Sequence, residues 1–160
     1  MATRTGIGVD VHPLAEDRAL VLGGVKIPHT HGLAGHSDGD VLVHAIIDAI
    51  LGAAGLGDIG THFSPGDEQY RGIDSTILLT RTVEIIAEEN WRVQYVDATI
   101  LAERPRLQSY ISEIRATLAR SMRLSDGLVS VKATTTDGLG FTGRSEGIAS
   151  MAVATLDDNK

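Results

Sequence analysis

The segment SDGDVLVHAIIDAILGAAG, which begins at Ser37, is so apolar that the fold must cover most of its surface. Its apolar residues recur at helical spacing, and serine is a residue type that caps helix N-termini, so we predict a helix over 38–54. Asp40, three residues after the predicted cap, is an acid well placed in a first turn. Asp40, His44 and Asp48 follow at intervals of four residues and form a polar stripe on this helix.

The remaining segments alternate between strand and helix patterns. Their order predicts an α+β fold, with helices packed on one face of a mixed four-stranded sheet, in a single domain spanning 1–160. One covered face leaves the other needing a partner, so we expect an oligomer. The predicted elements are a strand at 5–11, a hairpin at 19–28 that turns at Gly23-Gly24, a helix in DSTILLTRTVEIIAEEN, a strand in WRVQYVDATILA, a helix at 107–122, and strands in LVSVKATTT and GIASMAVATL.

Composition excludes several classes of function. The chain has no cysteine, so any transition metal must be held by His, Asp and Glu. The net charge is -7 and the 14 Lys and Arg form no block, so we expect no nucleic-acid partner. No apolar run approaches the ~20 residues of a membrane span, and the N-terminal sequence lacks the apolar region of a signal peptide, so we expect no membrane association and a cytoplasmic location.

A candidate metal site begins in the segment GVDVHPL. Asp10 and His12 lie two residues apart in a predicted strand, so their side chains project from the same face. With His44 from the predicted helix, they could supply three ligands to one divalent ion and leave a fourth position for a substrate oxygen, which is the arrangement of catalytic zinc. The alternative is that His44 is an ordinary histidine with satisfied hydrogen bonds and the aspartates form a solvated face.

The other histidines are weaker candidates for ligands. His29 and His31 are also two residues apart, but Pro28 and Gly32 bracket them in a predicted loop, where ligand geometry is poorly held. His62 has no partner visible in the sequence, and we expect it to face solvent.

Two glycine-rich loops are candidates for substrate contacts. The loop KATTTDGLGFTGRSEG follows a strand, and its hydroxyls and backbone N–H groups suit phosphate oxygens, while Asp137 could hold Mg²⁺ on a diphosphate. It matches neither a P-loop nor a dinucleotide-binding fingerprint, and composition alone is equally typical of a hairpin with glycine turns. The loop GLGDIGTHFSPGD is long for a connection between helices, which favours a functional role, such as a lid, over a plain linker.

Three motifs together, DVH, HSDGDVLVHAIIDAILGAAGLGDIG and KATTTDGLGFTGRSEGIA, resemble the 2-C-methyl-D-erythritol 2,4-cyclodiphosphate synthase family of the non-mevalonate isoprenoid pathway. The resemblance runs from about residue 6 to residue 156. It implies a homotrimer with active sites between subunits, one zinc per subunit held by Asp10, His12 and His44, and Mg²⁺ or Mn²⁺ on the diphosphate, held by Asp137. The implied reaction is that of a phosphorus–oxygen lyase, which converts 4-diphosphocytidyl-2-C-methyl-D-erythritol 2-phosphate to the cyclic diphosphate and releases CMP.

Further site residues are implied by the same resemblance. Thr135 joins the metal ligands as a catalytic residue. From the residues themselves, Asp40 and Asp48 are expected to support the site rather than to react, as a carboxylate beside His44 that fixes its tautomer or, for Asp40, as a helix cap. Arg144 and Glu146 match a charged pair near the trimer axis, where the family can hold an isoprenoid diphosphate. The implied substrate-binding residues fall into three groups. The methylerythritol phosphate is contacted by His36, Ser37, Asp58, Ile59 and Gly60, and by Phe63 and Asp67 from the loop that follows. Cytidine is contacted by Ala102, Pro105, Arg106, Leu107 and Ala133, and the glycine-rich loop contributes Thr134, Thr135, Phe141 and Arg144.

The chain departs from the common family pattern at four places. HFSPGD stands in place of a Phe-Pro-Asp-Thr-Asp run, Asp137 in place of Glu, Arg106 in place of Lys and Ser145 in place of Gly. None of these positions is a predicted zinc ligand. Two alternatives to the enzyme are a metal-stabilised trimer that carries a phosphorylated or isoprenoid ligand without turnover, and a nucleotide-binding regulator, which would leave the open metal position unused.

Overall fold

A five-stranded mixed sheet forms one layer of the structure, a computed structural model that describes residues 1–158. The strand order is β4-β1-β7-β5-β6, with β5 and β6 parallel and the other neighbours antiparallel, and β2 and β3 form a separate hairpin. The predicted α+β class and mixed sheet are confirmed. The elements are β1 (Thr3–Ala15), β2 (Leu20–Leu22), β3 (Val25–Ile27), β4 (Gly32–Leu33), α1 (Val41–Ala54), α2 (Ile59–His62), α3 (Ser75–Glu88), β5 (Trp91–Leu101), α4 (Ile111–Met122), β6 (Val129–Thr134), α5 (Gly140–Gly143) and β7 (Gly147–Asp158), with 3-10 turns at Glu68–Tyr70, Gln108–Tyr110 and Asp126–Leu128.

The predicted count of four strands in the sheet was wrong. The additional strand is β4, whose Gly32 and Leu33 pair antiparallel with Ala15 and Leu14 at the end of β1. Two residues are too few to show the alternation from which a strand is predicted, and the surrounding glycines indicate a loop. The predicted hairpin turn is confirmed, since Gly23 and Gly24 both have positive φ between β2 and β3.

Helix α1 begins three residues later than predicted, and its N-cap is Asp40 rather than Ser37. Gly39 has a φ of 75°, which no helix can contain, so the chain turns there before the helix starts. The Asp40 carboxylate then accepts a hydrogen bond from the Val43 N–H. The Ser37 hydroxyl is thereby free for contacts with His44, which are described below.

Two glycines in β1 allow α1 to lie directly on the sheet. Gly6 and Gly8 face the helix, and a Cβ at either position would overlap backbone atoms of Ala49 or Ala45. Side chains alternate along a strand, so the next residues on this face are Asp10 and His12. The close approach of the helix brings His44 to the same place, and α1 otherwise forms the centre of the core, with all its residues buried except Asp48 and Gly52.

The helices cover one face of the sheet, and the other face is apolar and exposed. Helix α1 packs on β1 and β7, α3 on β5, and α4 on β6. Within residues 1–158, no helix has the length and apolar character needed to cross a membrane. The uncovered face presents the apolar side chains Ile7, Val9, Val11, Met151 and Val153.

Candidate active site

Asp10, His12 and His44 converge on one point where the end of β1 meets the first turn of α1. The Asp10 Oδ2 atom lies 2.8 Å from His12 Nε2 and 3.2 Å from His44 Nδ1. The two ring nitrogens are 3.2 Å apart. One ligand atom from each residue lies within 4.8 Å of the others, so the three could hold one metal ion. Asp10, His12 and His44 are called the metal group below.

The orientation of His12 is set from behind by the backbone. Its Nδ1 lies 2.6 Å from the Ala34 carbonyl oxygen, which can only accept, so Nδ1 carries the hydrogen and donates it. The neutral ring then presents the Nε2 lone pair to the Asp10 carboxylate. The Asp10 carboxylate oxygen and the His12 Nε2 lone pair are both acceptors, so their 2.8 Å separation requires a proton or a metal ion between them.

The ionisation of Asp10 and His12 fits such a cation site. Burial disfavours the charged form of Asp10, but hydrogen bonds and charge from His12 and His44 outweigh it and lower the pKa of Asp10 to about 2. Burial also disfavours the charged form of His12, but the hydrogen bond and charge of Asp10 prevail and raise the pKa of His12. The site therefore keeps a negative carboxylate and attracts positive charge.

A cavity of about 220 Å³ opens beside the three residues. Its far wall comes from the loop after α1, so that loop and the metal group face one another across the cavity. The structure thus brings eight predicted site residues together here. They are Asp10, His12, His36, Ser37, His44, Ile59, Gly60 and Phe63, and the cavity is completed by Ser64, Pro65, Tyr70 and Leu78.

A second cavity, of about 190 Å³, lies at the ends of β5 and β6. It brings together all five residues predicted for the cytidine pocket and two threonines, one that ends β6 and one that follows it. Its lining consists of Ala102, Glu103, Pro105, Arg106, Leu107, Gln108, Ala133, Thr134 and Thr135.

The strand register places both cavities at the same end of the sheet. Val11 pairs with Ala149, which pairs with Leu101, which pairs with Thr134. Neighbouring strands lie about 4.8 Å apart, so the three steps from β1 to β6 span roughly 14 Å. Within one chain the metal group and the Thr134–Thr135 turn therefore line different cavities.

Asp137, Phe141 and Arg144 line neither of these cavities in the single chain. Asp137 is exposed, with a φ of 54°, and its backbone N–H donates to the Thr135 hydroxyl oxygen at 3.2 Å. Phe141 is 41% exposed, and Arg144 forms a 3.0 Å ion pair with Glu146 on the surface. These residues are available to a neighbouring molecule.

Asp58 and Asp67 act as caps of short helical turns. The Asp58 carboxylate accepts from the N–H and hydroxyl of Thr61 at the start of α2. The Asp67 carboxylate accepts from Gln69, while its carbonyl oxygen accepts from His36 Nε2 at 2.9 Å. Both aspartates lie at the loop that walls the first cavity, outside its lining.

The polar stripe of α1 serves packing at its two ends and the metal group at its centre. The buried Asp40 carboxylate accepts from the N–H groups of Gly23, Gly24 and Val43, and so ties the β2–β3 turn to α1. Its burial, together with the charge of Asp38, raises the pKa of Asp40 to about 6. Asp48 accepts from the Ile59 N–H at 2.8 Å, so it holds the wall of the first cavity. The expected helix cap by Asp40 is confirmed, but the expectation that one of these carboxylates fixes the tautomer of His44 was wrong, because both accept from backbone N–H groups instead.

The remaining histidines stand apart from this group. The exposed His29 and the half-buried His31 lie near one another, away from the metal group. The prediction that His62 faces solvent was wrong, since it is half-buried at the end of α2 and its Nε2 donates to the Leu56 carbonyl oxygen at 2.8 Å. A backbone partner of this kind has no signature in sequence.

Sequence reasoning missed two residues behind His44. Ser75 and Asp38 form a hydrogen-bonded chain with its Nε2 atom. Asp38 is adjacent to the predicted Ser37, but Ser75 lies 31 residues beyond His44, and no local spacing connects them.

Comparison with known proteins identifies relatives over almost the whole chain. A model of the YgbB family matches residues 3–157. The 2-C-methyl-D-erythritol 2,4-cyclodiphosphate synthase of Syntrophomonas wolfei is 54% identical over 154 residues, which cover 96% of this chain and 98% of that protein.

Solved structures of relatives share the fold. The bifunctional IspDF from Campylobacter jejuni matches with a TM-score of 0.95 and 40% identity, over 98% of this chain and 42% of that chain. The CDP complex of IspF from Plasmodium falciparum matches with a TM-score of 0.86 and 31% identity, over 99% of this chain and 98% of that chain. The chain therefore belongs to the YgbB family, which includes proteins named 2-C-methyl-D-erythritol 2,4-cyclodiphosphate synthase.

Proposed function

We propose that this chain is a metal-dependent 2-C-methyl-D-erythritol 2,4-cyclodiphosphate synthase, a phosphorus–oxygen lyase of isoprenoid biosynthesis. Its substrate is 4-diphosphocytidyl-2-C-methyl-D-erythritol 2-phosphate, and its products are the cyclic diphosphate and CMP. The observation that carries the proposal is the three-ligand metal group, open to a cavity, at the same end of the sheet as a second cavity. The names of the relatives supply the product, and the substrate is the one that the family resemblance implies.

The metal group has the donor set of a catalytic zinc site. One carboxylate oxygen and two imidazole nitrogens suit Zn²⁺, and three protein ligands leave a fourth position for a substrate oxygen. Zn²⁺ held there would act as a Lewis acid on the β-phosphate and fix its orientation. The phosphate would then lie at the mouth of the first cavity, where His36 and Ser37 are available to orient it.

The reaction requires no nucleophile from the protein. A 2-phosphate oxygen attacks the β-phosphorus, the bond from that phosphorus to the bridging oxygen breaks, and CMP leaves with the electron pair of that bond. Because the transfer is intramolecular, positioning and neutralisation of charge are the main contributions that the protein must make. The first cavity offers groups for such positioning, since the three residues of the metal group and His36 and Ser37 line it.

The second cavity is the proposed site of the cytidine and its α-phosphate. The relative from Plasmodium falciparum was solved as a CDP complex, which supports a cytidine nucleotide as ligand here. Pro105 and Leu107 offer apolar contacts, and the exposed hydroxyls of Thr134 and Thr135 lie where phosphate oxygens can accept from them. Asp137, next along the loop, is the proposed ligand of Mg²⁺ or Mn²⁺ on the diphosphate.

We further propose that three chains associate through the uncovered sheet face and share the active sites between neighbours. The exposed apolar side chains of β1 and β7 form a continuous patch that a partner would cover. Association also explains why Asp137, Phe141 and Arg144 are exposed in one chain although the resemblance implies contacts for them. The Arg144–Glu146 pair would then lie near the axis, where an isoprenoid diphosphate could bind.

The test is release of CMP from the cytidyl substrate by the purified chain. We expect CMP and the cyclic diphosphate in equal amounts, loss of both on chelation, and recovery when Zn²⁺ and Mg²⁺ are added back. Binding of the substrate without any CMP, in metal-replete protein, would instead support the carrier without turnover. Turnover that withstands complete removal of metal would contradict the proposed mechanism.

A further inference from the structure

A hydrogen-bonded chain lies behind His44, on the side away from the metal group. The His44 Nε2 atom is 2.9 Å from the Ser75 hydroxyl oxygen, which is 2.5 Å from Asp38 Oδ1. The other Asp38 oxygen accepts from the Ser75 backbone N–H at 3.0 Å. Ser75 is completely buried, so water cannot replace these contacts.

The hydrogen bonds among Asp38, Ser75 and His44 determine which nitrogen of His44 carries the hydrogen. A serine hydroxyl has one hydrogen, and the Asp38 carboxylate can only accept, so the short contact between them uses that hydrogen. Ser75 then presents only lone pairs to His44, and the Nε2 atom must be the donor. A neutral ring protonated at Nε2 has its lone pair on Nδ1, which points at Asp10 and His12.

Ser37 is compatible with the same arrangement. Its hydroxyl oxygen is 3.1 Å from His44 Nε2 and 3.3 Å from the Ser75 oxygen. The Ser37 hydrogen can be donated to Ser75, whose own hydrogen is already used, while the Ser37 oxygen accepts in part from Nε2. Every hydrogen in the cluster then has an acceptor.

We propose that Asp38 and Ser75 are positioning residues that hold His44 as the Nε2-protonated tautomer and so direct its Nδ1 lone pair to the metal. This inference rests on the metal-dependent function proposed above. His12 is fixed in the opposite sense, because the Ala34 carbonyl holds its Nδ1 hydrogen and leaves Nε2 for the metal. The two imidazoles therefore bind through different atoms, each set by its own partner.

The first test observes the tautomer directly in the wild-type chain. Long-range ¹H–¹⁵N spectra of metal-free protein are recorded at about pH 8.5, above the ordinary pKa of imidazole, and the His44 signals are assigned by their loss in His44→Ala. We expect the hydrogen of His44 on Nε2, with Nδ1 unprotonated. A hydrogen on Nδ1 would overturn the proposal without reference to any variant.

The second test measures Zn²⁺ affinity by competition with a chromophoric chelator. Ser75→Ala removes the nearer acceptor of the Nε2 hydrogen and frees the Ser37 hydrogen to turn toward His44, so we expect the Kd for Zn²⁺ to rise about 10- to 100-fold and the spectra to show both tautomers. In Asp38→Asn the amide can donate to Ser75, which turns the serine hydrogen toward His44, so the Nδ1-protonated form should gain population and Zn²⁺ should bind more weakly. The matched control is Ser121→Ala, which removes a hydroxyl that donates to the Thr117 carbonyl within α4 and has no contact with the cluster around His44, and it should leave both readouts unchanged.

The outcomes separate this inference from the proposed function. Folded Ser75→Ala with wild-type affinity and a single Nε2-protonated form would overturn the positioning role. If Ser75→Ala does not fold, the wild-type spectra decide alone. A wild-type chain that binds Zn²⁺ and forms CMP with the His44 hydrogen on Nδ1 overturns only the positioning role, whereas one that binds no Zn²⁺ overturns the metal-dependent function and this role together.

Discussion

Among the three proposed ligands, His44 alone comes from a helix, and it joins α1 to the strand that carries the other two. Its side chain is almost fully buried, with Asp10 and His12 on one side and Ser75 on the other. Removing its ring would leave a carboxylate and one imidazole, too few protein ligands for a catalytic zinc site. His44 is thus the residue at which the metal hypothesis is most directly tested.

For His44→Ala we expect CMP release to be abolished while the chain remains a folded oligomer. The reason is that the ring is at the edge of the cavity, so its loss removes a ligand and leaves the apolar core around α1 in place. Turnover and the retained Zn²⁺ are measured together, and circular dichroism and sedimentation report on the fold. Unchanged turnover in the folded variant would end the zinc assignment.

Asp137→Ala tests the second metal. We expect lower activity, partly restored by raised Mg²⁺, because the variant loses one oxygen ligand while the diphosphate keeps its own. Asp137 is exposed and its side chain supports no core contact, so the chain should stay folded, with a small loss of stability because alanine is disfavoured at a φ of 54°. The initial rate is measured against Mg²⁺ concentration, and Asp126→Ala, at an exposed aspartate in the 3-10 turn before β6, is the control. A rate for Asp137→Ala that does not respond to Mg²⁺ would contradict the assigned role.

The three residues of the candidate metal group could be predicted from sequence to meet, and the residues that support them could not. Asp10 and His12 share a face by the simple alternation of a strand, and His44 lies on a helix whose polar stripe is visible in the chain. Ser75 acts on His44 from another helix, and that contact depends on how α1 and α3 pack. Hydrogen bonds to carbonyl oxygens, such as that of His12 to Ala34, have no residue type that marks them.

At the scale of elements, the contact between β1 and α1 determines the site. Gly6 and Gly8 let the helix approach the strand so closely that any side chain there would meet its backbone. In the sequence these glycines are only part of a predicted strand at 5–11, because the need for them appears when the helix is placed on the sheet. The predicted start of α1 was wrong for a similar reason. Ser37 is a good capping residue, but the positive φ of Gly39 prevents a helix from beginning before Asp40.

Gly8→Ala should destabilise the chain and disturb the metal group, because the added methyl would overlap the Ala45 carbonyl and force α1 off the strand. Overpacking of this kind costs about 1–3 kcal/mol, and Zn²⁺ should bind more weakly because His44 moves with the helix. Urea unfolding and the Zn²⁺ competition assay measure the two effects.

The matched control for Gly8→Ala is Gly52→Ala, a glycine within α1 whose added methyl meets only ordinary contact. There the higher helix propensity of alanine should raise the free energy of unfolding by up to about 1 kcal/mol. Equal effects of the two substitutions would show that the approach of helix and strand does not depend on Gly8.

At the scale of the whole molecule, the sheet has one face covered by its own helices and one apolar face left open. The need for a partner follows from sequence, since the predicted helices suffice for one face only. The number of partners does not follow from sequence. The alternation along a strand shows which side chains form the apolar face, but it does not show the symmetry with which other copies cover that face. The trimer is therefore proposed from the resemblance, and the exposed face identifies the surface on which to test it.

Val9→Lys places a charge at the centre of that face, where Val9 is 53% exposed in the single chain. In a trimer this charge would be buried without a partner, so we expect dissociation to a folded species of 16.9 kDa in sedimentation. The variant should still bind Zn²⁺, since the three ligands belong to one chain, but release of CMP should be lost because each active site needs a neighbour. Ile77→Lys, at an exposed apolar position on α3, is the control and should leave assembly and activity unchanged. A monomeric Val9→Lys chain that still forms CMP would place the complete active site within one subunit and contradict the shared arrangement.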